Sequence, residues 1–296
     1  MESDVSLTTS AVMPRGSAVF LDTTIQIARF VHSPEMKLRV GERIRAYDVS
    51  VTGLVARLEF KRRLLKEADY LLRQLTRLGS YAKLRRHVDD VLPIQQQRKR
   101  NICVEILGTI LEQEDDASLT DRARLFLRDL ITGGLQEFDE LVDSVISLAG
   151  LPCAKRGIRE VRKYSKYDFG DEKCSRNRES CGIVPFLKQR EPQLRSILQM
   201  LQTLPPTDKT DELAEAQDFI EAYFDDPAVA TVDEPCVKVG DLLIALESSG
   251  IPAFYTMNGK ESQHLSRVMG QELVVRPRNP KHPDVICQRG AEWPRF

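Results

Sequence analysis

The chain has 296 residues, of which 42% are hydrophobic and 29% are charged, and its formal net charge is −1. A chain of this length can bury a full hydrophobic core. The near balance of 43 basic and 44 acidic residues excludes a strongly basic nucleic-acid binder as a description of the whole chain. No apolar run approaches the roughly 20 residues that span a bilayer, and the first residues lack a signal-peptide pattern. We therefore expect a soluble, cytoplasmic protein without a membrane partner.

The cysteine pattern does not indicate a disulfide-stabilised domain. Six cysteines are scattered along the chain without a Cys-x-x-Cys pair, which is typical of free thiols in a reducing compartment. Cys174 and Cys181 lie close to each other in the sequence. A structural zinc site at this pair is an open alternative, and it would make the protein a zinc-dependent binding module.

The N-terminal part of the chain predicts a strand followed by a helix. Residues 1–16 are expected to be a flexible lead-in. The apolar run Ala18–Leu21 is closed by Asp22, a favoured helix-capping residue, and it therefore predicts a buried strand that leads into a helix. Pro34 indicates a turn after this helix.

A second, longer helix is predicted to begin near Ser50 or Thr52. Both are good capping residues, and apolar residues recur at helical spacing after them. Glu59 lies at the border of this apolar stripe, so its side chain can reach inward from a partly buried helix. Residues 17–80 are thus expected to form the first part of an α/β domain.

Residues 81–230 are expected to form a large, mostly α-helical insertion. Strand signals are nearly absent in this part of the sequence. Candidate helices cover residues 82–91, 98–114, 119–131, 134–149, 190–203 and 211–224. A basic helix over residues 156–166, followed by an exposed loop, is predicted where glycine, proline and charged residues become frequent.

Strand and helix signals return in residues 231–276. They predict, in order, a short buried helix opened by Asp241, a strand over 251–256, a helix over 260–269 and a strand over 272–275. This alternation requires a parallel sheet with crossover helices, and the tail of residues 277–296 is expected to be extended. Neither end of the chain has enough strands alone, so both ends are expected to share one sheet.

Acidic residues follow the predicted strands at the points where functional groups gather in open parallel sheets. Asp22 follows the first strand, and Asn258 and Glu261 follow the strand over 251–256. Asp241 opens the preceding helix, and Glu59 can reach in from its own helix. Carboxylates that share a confined space raise one another's pKa unless a cation neutralises them. Mg²⁺ or Mn²⁺ fits such oxygen ligands and could orient a phosphodiester and activate a water.

Four segments carry these acids at the spacing of a known family. They are Val19-Phe20-Leu21-Asp22-Thr23-Thr24, Leu54-Val55-Ala56-Arg57-Leu58-Glu59-Phe60, Val239-Gly240-Asp241-Leu242-Leu243-Ile244-Ala245 and Thr256-Met257-Asn258-Gly259-Lys260-Glu261. Together they resemble the acidic motifs of the PIN-domain nucleases, and the separations 59 − 22 = 37 and 261 − 241 = 20 are usual for that family. The chain departs from the pattern at Thr24, Glu261 and Ser262, where asparagine, aspartate and phenylalanine are commoner. The gap of 182 positions between the second and third acids also exceeds that of compact members.

The resemblance implies a PIN-like parallel sheet flanked by helices, with the helical insertion between the second and third acidic motifs. The implied catalytic residues are Asp22, Glu59, Asp241 and Glu261, of which the first three bind Mg²⁺ or Mn²⁺, and the implied supporting residues are Thr23, Asn258 and Thr256. Whether Glu261 or Asn258 completes the site is open.

The activity implied by the resemblance is that of an endoribonuclease. Nothing in the residues chooses between RNA and DNA, and RNA is the habitual substrate of the family. Many members are toxins or defence effectors that a partner restrains. The helical insertion could therefore bind an inhibitory or regulatory protein, select the substrate, or form a homo-oligomer.

Several basic residues are candidates for nucleic-acid contact. They are Arg62, Arg63, Arg156, Arg159, Arg162 and Lys163. The window of residues 155–178 holds nine basic and four acidic residues, which gives 9 − 4 = +5, and aromatic residues are interleaved with them. This composition suits phosphate contact combined with base stacking. A solvated helix face and an exposed loop are the open alternative.

Each acid also has an ordinary explanation when it is taken alone. Asp22 and Asp241 are favoured helix-capping residues, and Glu59 could pair with Arg62 or Arg63. The functional alternative is therefore a catalytically inactive PIN-like scaffold that binds a protein or nucleic-acid partner through its insertion.

Overall fold

The computed structural model describes residues 18–90, 92, 97–110, 115–146, 159–161, 166–168, 182–231 and 235–293. The predicted lead-in over residues 1–16 lies outside these ranges. The strands are β1 (Ala18–Leu21), β2 (Val49–Gly53), β3 (Ser144–Ile146), β4 (Arg159–Val161), β5 (Lys166–Asp168), β6 (Ala253–Thr256), β7 (Glu272–Val275) and β8 (Val285–Cys287).

Helices make up most of the remaining described chain. They are α1 (Thr23–Val31), α2 (Pro34–Ile44), α3 (Leu54–Phe60), a π-helical turn (Lys61–Leu65), α4 (Lys66–Leu78), α5 (Tyr81–Asp90), α6 (Gln97–Gly108), α7 (Asp116–Glu140), α8 (Ile183–Gln189), α9 (Glu191–Thr203), α10 (Asp211–Asp225), a 3-10 helix (Pro227–Thr231), α11 (Pro235–Lys238), α12 (Gly240–Glu247) and α13 (Gly259–Met269). None of those in the described ranges combines the length and the apolar character that crossing a membrane requires.

Six strands form one sheet in the order β3-β2-β1-β6-β7-β8, and β4 pairs with β5 in a separate antiparallel ribbon. All neighbours in the six-stranded sheet are parallel except β7 and β8. The α/β class with a mostly parallel sheet flanked by helices is therefore confirmed. Strand β1 is central, since Phe20 lies in register with Val51 on one side and with Phe254 on the other.

Both faces of the sheet are covered, as a parallel sheet requires. On one face Phe20 stacks on Phe254 with ring centroids 5.6 Å apart. These rings join a cluster that includes buried residues of α8, α9, α10 and α12. The opposite face carries Leu21 and Tyr255, which pack with residues of α1 and α2. A third cluster joins the outer side of α1 to the π-helical turn and to α4, α5, α6 and α7.

The prediction of a helix that begins near Ser50 or Thr52 is wrong at its start. Both residues belong to β2, and helix α3 begins only at Leu54. The Thr52 hydroxyl donates to the Leu21 carbonyl at 2.8 Å, and β2 pairs with β1 and with β3. Two neighbouring strands therefore satisfy the backbone of this β-branched segment, which a helical pattern cannot reveal.

A two-residue break follows α1, where a turn was expected, and Pro34 then opens helix α2. Ser33 caps this helix by accepting from the amide of Met36 at 3.3 Å. Proline is well suited to the first helical position, because the amide that it lacks would have no helical partner there.

The middle of the chain differs from the prediction in the extent of a helix and in an unpredicted strand. Helix α7 runs without a break through residues 119–131 and the first part of the helix predicted over 134–149, and Gly134 lies inside it against the π-helical turn. A Cβ at Gly134 would lie 2.9 Å from Leu65. Residues Ser144–Ile146 form β3, an edge strand that exists through its pairing with β2.

The basic helix predicted over 156–166 is also wrong in its described part. Residues Arg159–Val161 form β4, which pairs with β5 in an antiparallel register of Val161 with Lys166. Pairing between these strands thus satisfies backbone groups that the prediction assigned to a helix. Within the tail that was expected to be extended, Val285–Cys287 pairs with β7 as strand β8, and turns precede and follow this strand.

Candidate functional site

Asp22 lies at the carboxyl end of the central strand β1 and caps helix α1. Its side chain is 6% exposed. Oδ1 accepts a hydrogen bond from the amide of Thr23 at 2.7 Å, and Oδ2 accepts from the hydroxyls of Thr24 and Thr256 at 2.7 Å each. The capping explanation from the sequence thus holds for Asp22, and the contact with Thr256 adds a link to the neighbouring strand.

The end of β6 is held beside Asp22 by hydroxyl groups. Thr256 is fully buried, and its hydroxyl oxygen accepts from the amide of Asn258 at 2.9 Å while it donates to Asp22. The amide of Met257 donates to the Thr24 hydroxyl at 3.0 Å. The loop that carries Asn258 is therefore fixed against the start of α1.

Glu59 reaches the same place from helix α3. It is 4% exposed, and its Oε2 accepts from the Thr23 hydroxyl at 2.6 Å. Its Oε1 lies 2.5 Å from Arg63 Nη2, on the π-helical turn that follows α3. Thr23, which bonds to Asp22 through its amide and to Glu59 through its hydroxyl, joins the first two acids.

Asp241 lies in the first turn of helix α12 and lines a small cleft together with Asp22. The other lining residues come from α12, β6 and α13, and they are Ile244, Ala245, Phe254, Ser262, Leu265 and Ser266. The pKa of Asp241 is raised to about 7, chiefly by burial and then by the charges of Glu59, Asp22 and Glu261, while the charge of Arg63 lowers it. The other three acids identified in the sequence therefore lie within electrostatic reach of Asp241.

Glu261 stands in the first turn of α13, and its Oε2 is buried without a hydrogen-bond partner. A buried polar atom without a partner costs about 1–3 kcal/mol, so this oxygen is available to an incoming donor or cation. Asn258 occupies the cap position of α13, yet its side chain does not cap the helix. Both candidates for the fourth position thus keep at least part of their side chain uncommitted to the helix backbone.

The acids are not arranged as a preformed metal site. Within the described residues, no group of three or more His, Cys, Asp or Glu side chains has the geometry to hold a metal ion. The contacts explain this finding, because both oxygens of Asp22 and both oxygens of Glu59 already accept from protein donors. A cation at this place would have to displace the Arg63 guanidinium or turn threonine hydroxyls away.

The basic residues proposed for nucleic-acid contact are described only in part. Arg63 is bound to Glu59 and its side chain is 37% exposed, and Arg62 lies next to it on the same turn. Arg159 belongs to β4. Arg156, Arg162 and Lys163 lie outside the described residues, as do both cysteines of the alternative zinc site, Cys174 and Cys181.

Glu247, a carboxylate at the last position of α12, is not among the candidate residues that the sequence indicates. It is 1% exposed, and its oxygens lie 3.0 and 3.3 Å from the amide nitrogen of Val55, which donates to them from the first turn of α3. Burial raises its pKa to about 8, against the effect of the amides of Val55 and Leu54 and of the charge of Arg190. An acid directly after the apolar run Leu242–Leu246 is the signal that could have identified it.

Comparison of the chain with protein-family models, with curated proteins and with solved structures gave no match.

Proposed function

We propose that the protein is a nuclease that depends on Mg²⁺ or Mn²⁺ and hydrolyses phosphodiester bonds in RNA. The observation that carries the proposal is that Asp22 and Asp241 line one cleft, where the charges of Glu59, Asp22 and Glu261 add to burial in raising the pKa of Asp241. Several carboxylates that destabilise one another's charged form favour the binding of a cation. Perturbed acids in a cleft are also typical of catalytic sites.

The side chains fit such a cation in their chemistry. Carboxylate oxygens are the ligands that Mg²⁺ and Mn²⁺ prefer, and Glu261 Oε2 is buried without a partner. Asp22, Glu59 and Asp241 would hold the ion, which would act as a Lewis acid toward water and phosphate.

The remaining groups have supporting roles in this proposal. The Thr256 hydroxyl orients Asp22, and the Thr23 hydroxyl orients Glu59, through the hydrogen bonds described above. Glu261 Oε2 can accept a proton or a hydrogen bond from an attacking water. Arg62 and Arg63, on the turn after α3, would contact the phosphate backbone.

The choice of RNA and of a biological role comes from the sequence resemblance to PIN-domain nucleases. On that basis we propose an endoribonuclease of the toxin or defence type, restrained by an inhibitory or regulatory protein. The helices between the second and third acids are the proposed binding region for that partner.

A cleavage assay on RNA, with single-stranded DNA in parallel, tests the proposal. We expect the wild-type chain to cut RNA in the presence of Mn²⁺, to stop cutting after EDTA is added, and to leave 5′-phosphate ends. Asp22→Ala and Asp241→Asn should each reduce the rate by about a hundredfold or more. Asp143→Asn is the control, because Asp143 accepts hydrogen bonds from Ser50 near the start of β2 and is not one of the proposed site residues. Cleavage that survives EDTA or the Asp241→Asn change would contradict the proposal.

A catalytically inactive scaffold is the second candidate. It is favoured by the arrangement of Glu59, which is already paired with Arg63, and by the finding that no metal geometry is preformed in the described ranges. Equal inactivity of the wild type and both variants, together with no Mn²⁺ binding in calorimetry, would support the scaffold.

A further inference from the structure

We propose that Glu247 is a positioning residue, which sets helix α3 with Glu59 against helix α12 with Asp241. The inference rests on the proposed metal site, since it concerns the distance between two of its acids. Glu247 does not line the cleft that contains Asp241, and its action would pass through the two helices.

The contact joins the two helices that carry these acids. Glu247 follows Asp241 by 247 − 241 = 6 residues on α12, which corresponds to about 9 Å along the helix axis. The amide of Val55 that donates to Glu247 lies one helical turn before Glu59 on α3. A shift of this single contact would therefore change the separation of Glu59 and Asp241.

Glu247 supplies the cap that α3 lacks locally. The residue at the cap position is Gly53, which has no side chain to accept from the first amides of the helix. The first amides of any helix need acceptors from outside the helix, and a carboxylate is favoured there by the helix dipole. An acid from α12 thus performs the capping function for α3.

The close approach of the two segments depends on a glycine. A Cβ at Gly53 would lie 1.9 Å from Glu247 Oε2 and 2.6 Å from Glu247 Cδ, which no side-chain adjustment of a few tenths of an ångström relieves. The contact between the two helices therefore requires both the carboxylate of Glu247 and the absence of a Cβ at Gly53.

The charge of the acid at this position has a cost. Burial disfavours the charge of Glu247, and an apolar residue of similar size would avoid that cost but would leave the Val55 amide without its acceptor. Apolar residues precede Glu247 on α12 and belong to the adjoining core cluster. The carboxylate is the group that distinguishes one defined placement of α3 from other packings of the same apolar surfaces.

The test compares Glu247→Gln with Glu247→Leu in the full-length chain. Glutamine keeps an acceptor oxygen for the Val55 amide, whereas leucine keeps the volume without an acceptor. We expect Glu247→Leu to weaken Mn²⁺ binding in calorimetry, and to lower kcat for RNA, by about tenfold or more, because small displacements of catalytic groups have large effects. KM should change little. Glu247→Gln should retain most of the Mn²⁺ affinity and most of the kcat that Glu247→Leu loses.

Hydrogen exchange of the amides in residues 54–60 gives a readout without metal. Faster exchange in Glu247→Leu than in Glu247→Gln supports the contact with α3. If the wild type neither binds Mn²⁺ nor cleaves RNA, the proposed function fails, and unchanged exchange in Glu247→Leu would then overturn the helix contact separately. Unaltered Mn²⁺ affinity and kcat in Glu247→Leu would overturn the positioning role in an active enzyme.

Gly53→Ala approaches the same contact from the opposite side, and Gly41→Ala is its matched control. A Cβ at Gly41 meets no heavy atom within 4 Å, so this change should leave metal binding as in the wild type. Gly53→Ala should reproduce the loss seen in Glu247→Leu. Because removal of the acid removes the clash, Gly53→Ala should have a smaller effect in a Glu247→Ala background than in the wild type, and equal effects in both backgrounds would contradict the inference.

Discussion

The hydroxyl of Thr256 donates a 2.7 Å hydrogen bond to Asp22 Oδ2, across 234 positions of the chain. Thr256 is the last residue of β6 and Asp22 directly follows β1, and these neighbouring parallel strands pair through Leu21 and Tyr255. The bond therefore fixes Asp22 relative to the loop that leads to Asn258 and Glu261. It shows that the two distant acidic motifs share one edge of the sheet.

We predict that Thr256→Val destabilises the fold, because Thr256 is fully buried and valine keeps its shape but removes the donor to Asp22. The free energy of unfolding should fall by about 1–3 kcal/mol, as measured by urea denaturation. Thr203→Val is the control, since its exposed hydroxyl bonds only to carbonyls of its own helix. A loss no larger than that of the control would mean that the Asp22 contact contributes nothing to stability.

We predict that the metal-free protein becomes less stable as pH rises from about 4 to about 7, the range between the ordinary pKa of Asp241 and its raised value. In this range the folded state keeps a proton that the unfolded state has released, so deprotonation favours unfolding. Glu247, with its pKa raised to about 8, acts in the same direction. Asp241→Asn should remove part of this loss and stabilise the EDTA-treated protein at pH 8 by a few kcal/mol, on the order expected for such a shift.

Urea denaturation in EDTA at pH 5 and at pH 8 measures this effect. Addition of Mn²⁺ at pH 8 should stabilise the wild type and leave Asp241→Asn unchanged, because the ion takes the place of the proton. A wild type that gains stability between pH 5 and pH 8 in EDTA would show that other titrating groups outweigh this cluster.

We predict that Arg63→Gln separates metal binding from cleavage. The Arg63 guanidinium forms an ion pair with Glu59 Oε1, so its removal frees a ligand oxygen for the ion. Because a partly exposed ion pair contributes about 1 kcal/mol, Mn²⁺ binding should become tighter by about fivefold. Cleavage should fall, since Arg63 is a proposed phosphate contact. Calorimetry with Mn²⁺ and the RNA assay measure the two effects.

Arg73→Gln is the matched control for Arg63→Gln. Arg73 pairs with Asp69 at the same i,i+4 spacing, with Nε 3.0 Å from Oδ2, on helix α4 outside the site. It should change neither Mn²⁺ affinity nor cleavage. Weaker Mn²⁺ binding in Arg63→Gln would show that the guanidinium supports the site and does not compete with the ion.

We predict that Glu261, and not Asn258, completes the catalytic group. The charge of Glu261 raises the pKa of Asp241, and Glu261 Oε2 is buried without a hydrogen-bond partner, whereas Asn258 is neutral. Glu261→Gln should lower kcat by about tenfold or more, and Asn258→Ala should lower it by less. The reverse order in single-turnover cleavage rates would assign the fourth position to Asn258.

Local sequence patterns were sufficient wherever one segment decides its own structure. The apolar run before Asp22 forms β1, the run before Asn258 forms β6, and α13 and β7 follow it as predicted. These elements could be recognised because a buried strand and the helix cap after it are properties of adjacent residues. Patterns of this kind were also enough to place Asp22 and Glu261 next to strand ends.

The sequence pattern failed where a strand exists through its neighbours. Ser50 and Thr52 look like helix caps, yet β2 is paired on both sides, and Ser144–Ile146 is a strand through its bonds to β2. Pairing partners more than thirty positions away leave no trace in local periodicity.

By itself, the sequence determined the α/β class and the positions of the acids relative to strands and caps, since these depend on contacts between neighbouring residues. Only the tertiary structure decided that Asp22 and Asp241 share a cleft and that Glu247 caps α3. The physical reason is that hydrogen bonds and electrostatic fields between helices depend on distances of a few ångströms. Packing of the whole chain sets those distances.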